Sequence, residues 1–180
     1  SSSRLGMDKA LVDVGSQTLI SWISRRLSSR VANITIVANE SNFAEISKIV
    51  SDVNVILNRN PHEGRTGSLK VGIDSIDSSR VKDYRLLVVP VDRPGFSDST
   101  LDHLICSEET CCPMKEGRGG HPLMLTFEDV DKVRRSSANS PLREVIEASR
   151  FEVLDRFLEL NIDTPEDIIN LQEKLQLVNE

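Results

Sequence analysis

The sequence predicts an α/β domain built on a mainly parallel, mixed sheet. Three observations carry this reading. Short runs rich in Val, Ile and Leu alternate with segments whose apolar residues recur at helical spacing. One run, residues 85–91, is almost continuously aliphatic after its first residue, as in a strand buried on both faces. The chain has 180 residues, 38% of them hydrophobic and only 4% aromatic, so a single domain spanning residues 1–180 can form one core of mostly aliphatic side chains.

The elements follow in order. Residues 10–14 read as a short extended segment closed by Gly15-Ser16. Residues 18–28 are a helix with Leu19, Ile20, Ile23 and Leu27 on one face, and residues 34–38 a strand. A helix over 41–50 aligns Phe43, Ile46 and Val50, and residues 53–57 form the next strand. The polar loop 58–66 leads into a helix over 67–76 carrying Leu69, Ile73 and Ile76. After strand 85–91 the chain turns at Asp92-Arg93-Pro94-Gly95 and enters a helix with Leu101, Leu104 and Ile105. Pro113 makes residues 111–114 an edge strand, because proline cannot donate to a ladder. A turn at 117–120 leads to a strand over 122–126, then a helix over 127–135. Ser140-Pro141 opens a helix to residue 148, and residues 152–155 and 158–162 are short strands. Thr164-Pro165-Glu166-Asp167 caps and starts a last helix with Ile168, Leu171, Leu175 and Val178 on one face.

Charge narrows the function. The formal net charge is −6, which demotes a nonspecific nucleic-acid binder. Residues 1–30 carry a local +3 and residues 151–180 a local −6, a pattern that fits either an anion site near the N-terminus or ordinary surface variation. No stretch approaches the roughly 20 apolar residues of a membrane span, and the first residues have no apolar core of a signal peptide. Cys106, Cys111 and Cys112 are odd in number and two are adjacent, which favours reduced thiols. The expectation is a cytoplasmic protein with neither nucleic-acid nor membrane partners.

Five segments can carry chemistry. Ser1 to Lys9 combines small residues with Arg4 and Lys9, suited to an anion or simply a polar tail. Asp92 follows the most apolar strand, at the kind of sheet edge where α/β ligands bind. It is placed either to hold Mg²⁺ or to cap a turn. In Asn161-Ile162-Asp163, alternation puts the two polar side chains on one face, and Asp163 is either a second metal ligand or part of a helix entry. Gly117-Arg118-Gly119-Gly120-His121-Pro122 is a hairpin turn or a loop gripping an anionic substrate through Arg118 and His121. Gly64 to Leu69 opens a helix whose free amides can meet a base or a phosphate, with Thr66 as an alternative cap. His103, Cys106, Cys111 and Cys112 lack the paired spacing of a zinc site.

The order of these segments carries more than any one of them. Ser-Ser-Arg-Leu-Gly-Met-Asp-Lys at residues 2–9 resembles the phosphate-loop signature of the MobA-like nucleotidyltransferases. Gly67-Ser68-Leu69-Lys70-Val71-Gly72 is similar to a segment of their MocA-type branch, the molybdenum-cofactor cytidylyl- and guanylyltransferases. Pro90-Val91-Asp92-Arg93-Pro94 resembles the family's metal-binding Pro-x-Asp-x-Pro. Residues 117–122 and 161–167 are similar to its Gly-Arg-x-Gly-His-Pro and Asp-Ile-Asp-Thr-Pro-Glu-Asp.

The resemblance implies a three-layer α/β/α fold of GT-A-like type. It implies transfer of a nucleoside monophosphate from an NTP, CTP in preference to GTP, to the phosphate of molybdopterin, with Mg²⁺ and release of pyrophosphate. Ser3, Arg4 and Lys9 would bind the triphosphate, Asp92 would hold Mg²⁺ with Asp163, Gly67 and Ser68 would border the base, and Arg118 and His121 would face the acceptor. A molybdoenzyme is a further expected partner. Another phosphorylated acceptor, such as a sugar or methylerythritol phosphate, or a non-catalytic role in delivering a ligand, are the alternatives. The sequence departs from the pattern at Asn161, where an Asp is common, and at Arg93, which adds a charge beside Asp92. It also begins after the family's central first strand and Gly-rich turn, so further residues, or a substitute in that slot, are expected.

Overall fold

In a computed structural model, residues 8–79 and 83–179 are described. The triphosphate contacts expected of Ser3 and Arg4 lie outside them.

Four helices and three strands precede the hairpin in the order the pattern predicts. Helix α1 (Leu19–Ser28) buries Leu19, Ile20, Ile23 and Leu27. Strand β1 (Thr35–Ala38), α2 (Phe43–Ile49), β2 (Asn54–Leu57) and α3 (Gly64–Ser78) follow. Next come β3 (Leu86–Val88), α4 (Asp98–Cys106), β4 (Cys111–Lys115), β5 (Arg118–Gly119), β6 (Leu123–Leu125) and α5 (Phe127–Arg135). The chain ends in α6 (Leu142–Val145), β7 (Ser149–Glu152), α7 (Pro165–Ile168) and α8 (Leu171–Gln176). No helix among the described residues is long and apolar enough to cross a membrane.

The strands form two sheets, one of β1 and β2 in parallel and one in the order β3-β6-β4-β5, with β7 also paired to β4. In the larger sheet only β4–β7 is parallel, while β3–β6, β4–β6 and β4–β5 are antiparallel. The sheet is mixed as expected, but its larger part is not mainly parallel. Short returns make the difference: β4 and β5 are joined by Glu116 and Gly117, both at positive φ, as a two-residue hairpin requires. Strands β1 and β3 are not paired with each other among the described residues.

Alternation along the strands serves two cores. Leu86, Val88, Leu123 and Leu125 pack with Ile73 of α3 and Val130 and Val133 of α5. Leu87 packs with Leu19 and Ile23 of α1 and Leu101 of α4, and Leu87 and Met124 pack with Leu104. Helices therefore cover both faces of the larger sheet. Burying side chains of this size contributes roughly 1.5–3 kcal/mol each.

Several expected elements are corrected. Residues 10–14 are not extended throughout, because Asp8 Oδ1 accepts from the Ala10 amide at 2.9 Å and caps a 3-10 turn, Lys9–Leu11. Strand β3 stops at Val88, short of Pro90, and its three residues are half-buried although helices pack on both of its faces. Strand β4 is not an edge strand. It has partners on both sides, and Pro113 falls between the β5 and β6 pairings, where only its carbonyl is used, accepting from Gly120 N at 2.7 Å. Residues 158–162 are not a strand, because local bonds from Leu158 N to Asp155 O and Leu160 N to Phe157 O already satisfy the backbone there. The strand expected over 152–155 lies instead at Ser149–Glu152. The helix opened at Pro141 ends at Val145. The last helix is split by Asn170, which sits at φ 60.

Candidate active site

Lys9, Asp92 and Asp163 meet beyond the ends of the strands, although 83 residues separate the first two and 154 the first and last. The Lys9 ammonium donates to Asp163 Oδ1 at 2.5 Å and to Asp92 Oδ2 at 3.4 Å. Its side chain is 13% exposed, against 20% for Asp92 and 44% for Asp163.

Each partner is held by local structure. Asp8 accepts from the Ala10 amide with one oxygen and from Asn42 Nδ2, at 2.7 Å, with the other. Asn42 in turn accepts from the amide of Asn39, the residue after β1, at 2.9 Å. Ala10 is buried among Ile20, Ala38 and Ile46. Lys9 therefore extends from a backbone tied to the end of β1. Asp92 follows β3, and its carbonyl accepts from the Ile162 amide at 3.0 Å. Ile162 is fully buried, so Asn161 and Asp163 on either side of it face outward together, as the alternation predicts, without a strand. Asp167 Oδ2 accepts from the amides of Asp163 and Thr164, a capping box that fixes the next turn. Asn161 Nδ2 also donates to Asp163. The bond from Lys9, then that from Asn161, holds the Asp163 carboxyl below the usual carboxylate range.

Two carboxylates with hard oxygen donors suit a divalent cation that keeps waters and takes its remaining ligands from phosphate oxygens. Among the described residues no group of three or more His, Cys, Asp or Glu gathers to form a complete protein cage. The pair thus fits a cation that arrives with a phosphorylated ligand. His103 stacks on the Phe151 ring at 4.0 Å, and the three cysteines are free.

The remaining predicted residues divide. His121 lies in the turn before β6, with a cis bond to Pro122. It is half-buried, and its Nδ1 is buried without a hydrogen-bond partner among the described residues. Burial, then Arg65 and Arg93, hold its imidazole below the usual range, while Asp92 acts in the opposite sense. His121 therefore shares an electrostatic neighbourhood with Asp92. Arg118 does not join it: the side chain is 83% exposed on β5 and lies 3.7 Å from Glu159.

Gly67 and Ser68 sit in the first turns of α3, which begins at Gly64, earlier than expected. A Cβ on Gly67 would stand 2.6 Å from Glu63 Cβ, so packing at the helix entry requires the glycine. The Ser68 hydroxyl accepts from Asn58 Nδ2 and donates to the Gly64 carbonyl, both at 3.0 Å. Neither residue bonds to Lys9, Asp92 or Asp163 among the described residues. Thr66 is not the cap of α3, since its hydroxyl donates to the Ser140 carbonyl at 2.6 Å.

Sequence reasoning did not identify Asp8 and Asn42 as supports of Lys9, nor Arg65 as a neighbour of His121. Asp8 was open to recognition as a polar residue one position before a turn; the other two depend on contacts across the fold.

A family model described as the MobA-like NTP transferase domain matches residues 1–153. No curated protein sequence matches the chain. Among solved structures, Rv0371c from Mycobacterium tuberculosis H37Rv is similar at 20% identity and TM-score 0.72, covering 96% of this chain and 93% of that one. Molybdopterin-guanine dinucleotide biosynthesis protein A from Archaeoglobus fulgidus is similar at 17% identity and TM-score 0.67, covering 96% and 92%. A 4-diphosphocytidyl-2C-methyl-D-erythritol synthase is similar at 13% identity and TM-score 0.67, covering 92% of each chain. These three likenesses establish an α/β nucleotidyltransferase-like fold.

Proposed function

The chain belongs to the MobA-like NTP transferase family, and from that premise we propose that it transfers a nucleoside monophosphate from an NTP to a phosphorylated small molecule, releasing pyrophosphate. The observation that carries this is the convergence of Lys9, Asp92 and Asp163 on one point.

In the proposed reaction an oxygen of the acceptor phosphate attacks the α-phosphorus, and the bond to the leaving pyrophosphate breaks. The chemistry needs positioning and neutralisation of charge, not a protein nucleophile. Lys9 supplies a positive charge on a flexible stem to the triphosphate. Asp92 and Asp163 supply oxygen ligands for Mg²⁺, which when bound would neutralise phosphate charge and polarise the α-phosphoryl group. Arg93 and Arg65 bring positive charge toward the His121 turn, on the side proposed for the acceptor. Arg118, exposed on β5 beside Glu159, is proposed to face the acceptor with His121. Gly67 and Ser68, next to the free amides that open α3, are proposed to border the base.

Molybdopterin is the acceptor we favour, with CTP as donor, because segment 67–72 resembles the MocA-type branch and segment 117–122 resembles the wider family's Gly-Arg-x-Gly-His-Pro. A methylerythritol or sugar phosphate is the second reading, favoured by the likeness to a diphosphocytidyl-methylerythritol synthase. The test is incubation of the full-length protein and Mg²⁺ with each NTP and with molybdopterin or methylerythritol phosphate in turn, measuring pyrophosphate. Release with CTP and molybdopterin supports the first reading, and release only with methylerythritol phosphate supports the second. Nucleotide binding with no pyrophosphate from any pair leaves a delivery role in place of catalysis.

A further inference from the structure

The point between the two carboxylates is already held by a cation of the protein itself. Lys9 Nζ lies 2.5 Å from Asp163 Oδ1 and 3.4 Å from Asp92 Oδ2, and the Lys9 side chain is largely buried. Both ends of this arrangement are braced. Asp8, Asn42 and buried Ala10 fix the backbone that presents the lysine. The Ile162 amide, Asn161 and the Asp167 box fix the carboxylates.

A carboxylate oxygen that accepts from an ammonium at this distance uses the lone pairs a divalent ion would need. The ion would also be brought against a positive charge of the same sign. The lysine is the movable member, with a four-carbon stem and rotatable donors. Triphosphate oxygens offer its ammonium an alternative set of acceptors.

Resting on the nucleotidyl-transfer reading, we propose that Lys9 is an internal counter-ion that excludes the divalent cation from Asp92 and Asp163 until a nucleotide triphosphate draws the ammonium away. Metal and nucleotide then enter together, and the exchange of Lys9 from carboxylate to phosphate couples them. Metal alone binds weakly, and the carboxylate pair remains partly neutralised in the resting protein. By linkage the nucleotide must be helped by the metal to the same degree as the metal is helped by the nucleotide.

Direct Mn²⁺ binding to the full-length chain, followed by electron paramagnetic resonance, tests this without turnover. Mn²⁺ is titrated alone and with the non-hydrolysable α,β-methylene analogue of CTP. In the wild type the analogue is expected to tighten Mn²⁺ binding at least about tenfold, within the range of ordinary allosteric coupling. Lys9→Met, which keeps the length and removes the charge, is expected to bind Mn²⁺ alone at least about tenfold more tightly than wild type and to lose most of the coupling. Arg93→Gln is the control, since Arg93 acts on Asp163 through its charge and not through a hydrogen bond. It is expected to tighten Mn²⁺ much less.

Equal tightening in Lys9→Met and Arg93→Gln would reduce Lys9 to a bystander charge and overturn the proposal. So would Mn²⁺ binding to Lys9→Met no tighter than to wild type. If Lys9→Met does not fold, Lys9→Gln is read in the same way. The wild-type comparison decides independently: Mn²⁺ binding as tight without the analogue as with it overturns the proposal. Binding of both ligands without coupling removes the proposal alone, whereas a wild type that binds no nucleotide under any condition removes the transfer reading with it.

Discussion

The amide of Ile162 donates to the carbonyl oxygen of Asp92 at 3.0 Å, joining the segment after β3 to the segment before α7. That bond sets the two carboxylates beside each other, because Asp163 is the residue after Ile162. The Ile162 side chain is fully buried against Leu19, Phe96 and Leu171. Core packing on one side of this residue therefore fixes the geometry of the carboxylates on the other.

Ile162→Ala should cost about 3 kcal/mol, within the usual range for emptying a buried aliphatic site, and Ile162→Val about 1 kcal/mol. Urea unfolding measures both. A loss below about 0.5 kcal/mol for the alanine variant would place this segment outside the core.

Gly95 has a separate demand on it. A Cβ at this position would stand 1.8 Å from the Phe157 carbonyl oxygen, a contact that only a backbone shift can relieve. The neighbouring Ser97 amide donates to buried Asp155 at 2.8 Å, so the two strands of chain have little room to part. Gly95→Ala is expected to destabilise by about 3 kcal/mol, the upper end of ordinary overpacking. A urea midpoint equal to that of wild type would contradict the close approach.

Tyr84 is the only tyrosine, which makes its ionisation easy to follow. Burial, then its bond to Asp77 at 3.0 Å, pushes the phenol up to about 12. The unfolded value is about 10. A folded pKa above the unfolded one gives stability that is fully present below the unfolded value and is lost as pH rises through the folded one. Tyr84 thus supports the fold up to about pH 10 and ceases to do so by about pH 12. Ultraviolet titration of tyrosinate should show a midpoint near 12 in the wild type and a lower one in Asp77→Asn. A wild-type midpoint near 10 would show that the phenol is solvated.

Most of the helices were legible in the sequence because each buries a periodic apolar face and several carry their own caps, such as Thr126 before α5. Periodicity misled at residues 158–162, where alternating Leu158, Leu160 and Ile162 imitate a strand although i to i−3 bonds close the backbone into turns. Pro113 misled in the opposite direction: a residue that cannot donate still fits a central strand where the neighbouring ladder is interrupted. At the candidate site, Lys9, Asp92 and Asp163 were named through motif order, since no local rule joins residues so far apart. The Asp8–Asn42 bond and the Arg118–Glu159 contact depend on side-chain direction, which the sequence pattern does not carry.

The central claim is that the carboxylate beside Lys9 serves nucleotidyl transfer, and Asp92→Asn tests it most directly. Asparagine keeps the size and a hydrogen-bonding oxygen but removes the charge that would hold Mg²⁺. Pyrophosphate release from CTP with the phosphorylated acceptor is measured for both proteins at equal fold content, checked by circular dichroism. The account predicts at least about a tenfold fall in turnover for Asp92→Asn, equivalent to roughly 1.4 kcal/mol of barrier. Mg²⁺-dependent pyrophosphate release at the wild-type rate in that variant would contradict it.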